Sequence, residues 1–250
     1  MRWPMPAGRF SMGEGAAPDR VGAYAAFLRH GAYHQRPGAP SARQPFALTD
    51  EGQAQARAGG DALAAMIAER GLTLDPVIRC SRQLRAWQTA DAVAGRLRAH
   101  GHAVDRIDET SALAERGLGS AANLTVAEIE QVLADDPRHG PPPPGWKSDS
   151  SYRLPLDGAE SLDEAGARVA ACLGDTLGRD PVPGRVTVFV GHGASFRHGC
   201  RYLGLLTAAD VPRLSMFHAR PLLFCYNAHG SWQHCAGAWK VRARSEDPID

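Results

Sequence analysis

The sequence has no run of apolar residues approaching the roughly 20 that a membrane-crossing helix needs. Charge of one sign is scarce too: 28 Lys and Arg stand against 27 Asp and Glu, for a formal net charge of +1. Such a balance argues against the broad basic surface of a nucleic-acid binder or of a protein that rides on anionic membranes. Any anion binding must therefore come from local groups of arginine. Cysteine is sparse, with five residues and no Cys-x-x-Cys pair. That count and spacing argue against a disulfide framework or a zinc knuckle, and point to reduced, largely buried thiols in a cytoplasmic protein. His229, His234 and Cys235 do not form a standard zinc pattern, so no metal is expected. No internal repeat is present. Residues 1–20 lack the apolar core of a signal peptide and read as a loose tail rich in Gly, Ala and Pro; residues 244–250 read as a second, polar tail.

Between the tails, residues 21–243 read as one domain, long enough to bury a substantial core. The short apolar stretch 21–28 reads as a buried strand that runs directly into Arg29-His30-Gly31. Thr49, with Asp50 and Glu51 behind it, opens a helix that Gly71 ends. Residues 76–80 read as a strand, 84–100 as a helix and 103–107 as a third strand. Thr125 with Glu128, and Ser161 with Glu164, are capping-box pairs, each at a helix start. The segment 136–151 contains four consecutive prolines and is expected to be an extended loop or lid. Residues 186–190 (VTVFV) form the clearest buried strand, ending in Gly191-His192-Gly193, with a helix expected over 195–205. Residues 221–226 and 236–241 read as two late strands. Strands alternating with helices predict a three-layer α/β/α fold around a mainly parallel sheet. In such sheets ligands bind beyond the carboxyl ends of the strands. His30, Arg85 and His192 all fall at such positions.

The arginines Arg79, Arg82 and Arg85 crowd a strand-to-helix junction. A helix N-terminus already carries partial positive charge, so cations there make sense if the site holds a dianion. Together the segments resemble the histidine phosphatase superfamily, also called the phosphoglycerate mutase-like family. Five segments carry the resemblance, in the family's order: Leu28-Arg-His-Gly31; Ser81-x-x-x-Arg85-Ala-x-Gln-Thr-Ala90; Leu113-Ala-Glu-Arg-x-x-Gly119; Gly158-Ala-Glu-Ser-Leu162; and Val190-Gly-His-Gly193. The resemblance implies His30 as nucleophile, Arg29, Arg85 and His192 gripping the phosphoryl oxygens, and Glu115 as proton donor. Several other acids, Asp105, Asp108, Glu109 and Glu160, stand as alternatives to Glu115. Gly31, Gly193, Tyr33 and Arg36 are the further candidates for substrate contact.

These residue types suit phosphoryl transfer. A neutral imidazole approaches a phosphate more easily than a carboxylate does. Neighbouring arginines keep it unprotonated and neutralise the equatorial oxygens. No metal or cofactor is required. The family's cofactor-dependent mutases read Glu-Ser-x-x-Asn after Arg-His-Gly, whereas this chain reads Ala32-Tyr33-His34-Gln35-Arg36. It also lacks their Arg-Arg pair before the Gly-Glu-Ser element. The expectation is a metal-independent phosphatase acting on a phosphorylated small molecule or phosphoprotein. The alternatives are a mutase-type phosphotransferase and a non-catalytic phosphate-binding domain.

Overall fold

The computed structural model describes residues 21–179, 181–227 and 230–242. The tails expected at 1–20 and 244–250, and His229, lie outside them. In chain order the elements are β1 (Val21–Arg29), α1 (Asp50–Glu69), β2 (Thr73–Ser81), α2 (Leu84–Ala99), β3 (Arg106–Thr110), α3 (Val126–Asp135), α4 (Leu162–Arg179), β4 (Arg185–Gly191), α5 (Gly193–Tyr202), β5 (Leu214–Ser215), β6 (Leu222–Asn227), β7 (Trp232–Ala236) and β8 (Lys240–Val241). Six strands form one sheet in the order β3-β2-β4-β1-β6-β7. The first four run parallel, and β6 and β7 add antiparallel. This is the expected α/β architecture.

Alternation along the central strands builds two cores. Ala26 and Leu28 of β1 join Val186, Val188 and Val190 of β4 on one face, beneath Leu63 and Ile67 of α1 and Val93 and Leu97 of α2. Ala25, Phe27 and Phe189 point the other way, against Val169 and Leu173 of α4 and Phe196 of α5. Period-two patterning on a sheet covered on both sides thus yields three layers. It also places β1 and β4 side by side at the centre, register-paired to Arg29 and Gly191. Their carboxyl ends deliver His30 and His192 to one crevice, where the connections leave the sheet in opposite directions.

Helix starts follow local chemistry. The Thr49 side chain accepts from Gly52 N, and both predicted capping boxes are formed in full. The 136–151 segment is a series of turns. It is pinned by buried Trp146, which packs with Ile129, Leu133 and Leu154 and donates from Nε1 to Glu130 at 3.0 Å.

Three sequence expectations need correcting. The last strands are displaced: residues 236–241 hold no single strand, and β7 forms a hairpin with β6 instead. Across that hairpin Cys225 and Cys235 are joined as a disulfide, with Cα atoms 6.1 Å apart, so the expectation of five free thiols fails at this pair. The odd count concealed it, because Cys80, Cys172 and Cys200 remain free. β3 also begins later than expected, at Arg106.

Candidate active site

His30 follows the last residue of β1 and is 1% exposed. Its backbone N–H donates to Gly191 O at 2.9 Å, which ties the first histidine segment to the second. The Nδ1–H donates to the Gly31 carbonyl at 2.8 Å. That bond selects the tautomer whose Nε2 carries the free lone pair. Burial pushes the imidazole well below the usual histidine range, and the cations of Arg85, the ring of His192 and Arg29 push it further; the Gly31 bond opposes them. His30 is therefore a neutral base at neutral pH. Gly31 N–H donates to Thr89 Oγ1 at 3.0 Å, and α1 passes so close that a Cβ on Gly31 would collide with the Gly52 carbonyl.

Arg85 lies in the first turn of α2 and is wholly buried. Its Nη1 donates to Gln44 O at 2.9 Å, and Nη2 to Ser41 O at 2.6 Å and Ala42 O at 3.0 Å. The same Nη2 lies 3.2 Å from His192 Nδ1. Its Nε–H, also buried, has no partner and is the donor left for an anion. Tyr33 lies under the guanidinium at 4.6 Å and sets its edge against the His30 ring, with its hydroxyl 2.8 Å from Ser41 Oγ. Desolvation brings the Arg85 pKa down to about 10, still fully cationic at neutral pH.

His192 is the N-cap of α5 and is 0% exposed. Because Nδ1 accepts from Arg85, Nε2 carries the proton and donates to Ser81 Oγ at 2.9 Å. Burial, then Arg85, Arg29 and Arg168, hold the ring well below the ordinary histidine pKa. The doubly protonated His192 that an anion would favour is thus opposed by its surroundings. Its ring centroid is 5.1 Å from that of His30. Arg29 crosses Gly193, where an added Cβ would meet the guanidinium at 3.2–3.5 Å, and its Nη1 donates to Met216 O at 3.2 Å.

Glu115 is the one buried acid among the described residues. Oε1 accepts from Ser195 N at 3.0 Å and Arg116 N at 2.9 Å, and Oε2 from Ala194 N at 3.3 Å. The first turn of α5 thus holds the carboxyl by its free N–H groups. Asp105 and Glu109 are exposed and Asp108 pairs with Arg106 at the surface, while Glu160 is committed to Arg168.

The structure therefore brings His30, Arg29, Arg85, His192, Gly31, Gly193, Tyr33 and Glu115 together. It does not bring Arg36, whose exposed guanidinium pairs with Glu128 of α3 at 3.1 Å. Of the three crowded arginines only Arg85 reaches the cluster: Arg79 pairs with Asp75 and Arg82 faces solvent. Sequence reasoning missed Ser81 and Thr89. Both lie within the recognised segment, spaced four residues either side of Arg85, so helical periodicity could have found Thr89. It also missed His218, whose Nδ1 donates to His30 O at 2.8 Å and whose loop carries no motif.

The family model of the histidine phosphatase superfamily (branch 1) matches residues 26–233. The chain belongs to the histidine phosphatase superfamily. A 2,3-bisphosphoglycerate-dependent phosphoglycerate mutase of Methylobacterium radiotolerans is 31% identical over 185 residues, covering 72% of this chain and 78% of that protein. The corresponding mutase of Rhizobium meliloti is 30% identical, covering 72% and 79%. Among solved folds, a mycobacterial glucosyl-3-phosphoglycerate phosphatase superposes with a TM-score of 0.59 at 23% identity, covering 87% of this chain and 97% of that one. A phosphoglycerate mutase from Bacillus anthracis gives 0.62 at 16% identity, covering 88% and 94%. This histidine phosphatase fold thus has both mutases and phosphatases among its neighbours.

Proposed function

We propose that the protein hydrolyses a phosphate monoester through a phosphohistidine on His30. The observation that carries this is the His30 tautomer: Nδ1–H is spent on Gly31 O, so Nε2 is the nucleophile, in a buried pocket with Arg29 and Arg85 beside it. Nε2 attacks phosphorus as the bond to the ester oxygen breaks. That electron pair goes to the oxygen, which takes a proton from the Glu115 carboxyl. The imidazole becomes cationic, and its Nδ1–H bond to Gly31 strengthens as it does. Water then attacks phosphorus and gives its proton to Glu115. The P–N bond breaks, its electron pair returns to Nε2, and inorganic phosphate leaves. Arg29 and Arg85 supply the charge that divalent cations supply in other phosphoryl-transfer enzymes. Hydrolysis is favoured over transfer because Ala32 and Tyr33 stand where the mutases carry their Glu-Ser stretch.

The test is turnover of p-nitrophenyl phosphate in EDTA. Wild type is expected to release phosphate, and His30→Ala to lose at least ~10³-fold together with acid-labile phosphorylation of the protein. Wild type inert across a broad pH range and a panel of metabolites and phosphopeptides would overturn the reading; binding without release would then mark a non-catalytic domain. A second reading, a phosphoglycerate mutase, is favoured by the 31% identity to the Methylobacterium enzyme. A coupled 3-phosphoglycerate assay with added 2,3-bisphosphoglycerate decides between them.

A further inference from the structure

The bond that selects the His30 tautomer has a second end. The Gly31 carbonyl that accepts from His30 Nδ1–H belongs to the peptide joining Gly31 to Ala32, and the N–H of that same peptide donates to Gln55 Oε1 at 2.8 Å. Gln55 lies near the start of α1, and its Nε2 donates to Glu51 Oε1 at 2.8 Å, one turn back. The two bonds leave the amide one orientation, since a flip would set Nε2 against the Ala32 N–H and Oε1 against a carboxylate. His30 imidazole, Gly31–Ala32 peptide, Gln55 amide and Glu51 carboxylate thus form a row in which each group donates toward Glu51. Such rows strengthen cooperatively, because each bond polarises the next.

The rest of this stretch is held as well. Ala32 O accepts from Thr49 N at 3.0 Å, Gly31 N–H donates to Thr89 Oγ1 at 3.0 Å, and α1 passes so close that a Cβ on Gly52 would collide with Ala32 O. The peptide therefore presents its carbonyl to His30 in one direction. Burial, Arg85, His192 and Arg29 lower the His30 pKa, and the bond to Gly31 opposes them.

We propose that Gln55 is a positioning residue for the nucleophile: it orients and polarises the Gly31–Ala32 peptide, which keeps the proton on Nδ1 and the lone pair on Nε2 of His30 and stabilises the imidazolium that forms on phosphorylation. Gln55 acts through the peptide and not on the substrate. The proposal rests on His30 receiving the phosphoryl group, but its first readout is the ring itself and needs no turnover.

The test is 15N NMR of the histidine rings, with His30 assigned by the signals lost in His30→Ala. Wild type is expected to show Nδ1 protonated and Nε2 bare. Gln55→Leu, similar in size but without an acceptor, should mix the two tautomers or lower the midpoint of the ring by at least ~0.5 pH unit. Its kcat on p-nitrophenyl phosphate should fall at least ~10-fold, with KM within about threefold of wild type. Gln55→Glu keeps an acceptor and brings a negative charge closer, so it should hold the Nδ1–H tautomer, raise the midpoint above that of wild type and recover most of kcat. The charged and titratable groups that face His30 from other elements, Arg29, Arg85, His192, Tyr33 and His218, are the same in every variant. His30 signals in Gln55→Leu that match wild type overturn the proposal, whatever happens to kcat or thermal stability. If that variant does not fold, a Gln55→Glu midpoint at or below that of wild type overturns it. Signals that respond as expected in an enzyme inert on every substrate uphold the positioning role and overturn the phosphohistidine reading alone.

Discussion

Arg85 shows how one side chain can be structural and chemical at once. Its Nη groups satisfy three carbonyls of the loop after β1 and hold His192 in one tautomer, while its Nε–H faces the cluster unspent. Lysine has the charge but not the fork. Arg85→Lys is expected to lower kcat/KM on p-nitrophenyl phosphate by at least ~100-fold, since a charge-assisted bond contributes about 1.5–3 kcal/mol and more than one is lost. Near wild-type kinetics would refute this account of its role. His30 gives a second expectation. A base whose pKa is held well below 6.5 by burial and by Arg85, His192 and Arg29 stays unprotonated as the medium is acidified through the usual histidine range. The acid limb of the kcat/KM profile, corrected for ionisation of the substrate, is therefore expected below pH 6.5; a limb at or above that value would show that the cations do not act on the nucleophile.

Between elements, Glu160 and Arg168 form a clamp around the chain that carries Glu115. Arg168 of α4 donates to Glu160 from Nε and Nη2, each at 2.9 Å, and its Nη1 reaches the carbonyls of Ser111, Ala112 and Ala114. Glu160 in turn accepts from Gly117 N at 3.0 Å. The residues on both sides of Glu115 are thereby fixed to α4, and Arg168 acts as a positioning residue. Arg168→Ala is expected to reduce kcat at least tenfold with a smaller change in KM, and Arg168→Lys to recover part of it; equal effects on both parameters would indicate general disruption instead. Much of this level was legible beforehand. Strand β4, the Thr49 cap and the two capping boxes follow from periodicity and side-chain chemistry within a few residues, and the five ordered segments placed His30, Arg85, Glu115 and His192. What was hidden depends on long-range pairing. Arg36 looked free until Glu128, distant in sequence, proved to be its partner. The β6–β7 hairpin lacked a strong turn dipeptide, so its register and the Cys225–Cys235 bond could not be read locally. His218 is recruited through a backbone carbonyl, and such contacts leave no mark on residue type.

At the scale of the whole molecule, three imidazoles among the described residues lie in the interior: His30 and His198 at 1% exposure and His192 at 0%. His198 joins α5 to the proline-rich segment, its Nδ1 donating to Ala194 O at 2.8 Å and its Nε2 lying 3.0 Å from Ser150 Oγ. Burial, with Arg197, Arg116 and Arg201 nearby, brings its pKa down to about 4 against the Ala194 bond that opposes the shift. In the unfolded chain each of these rings takes up a proton near pH 6.5. Below that pH the unfolded state therefore binds more protons than the native state, so native stability is full above pH 6.5 and declines as the pH falls toward the folded values. Each histidine contributes a slope of about 1.4 kcal/mol per pH unit. For His198 the interval from 6.5 down to about 4 is worth about 3 kcal/mol. Against a total stability of about 5–15 kcal/mol, that loss from His198 alone is a large fraction, and His30 and His192 act in the same direction. Urea unfolding at pH 7.5, 6.0 and 5.0 should show stability falling with a slope approaching about 4 kcal/mol per pH unit below pH 6. His198→Asn, which retains a donor toward Ala194 O and cannot titrate, should flatten that slope by about a third. An unchanged slope in the variant, or wild-type stability that is level from pH 7.5 to 5.0, would mean that the buried rings accept protons without opening the fold.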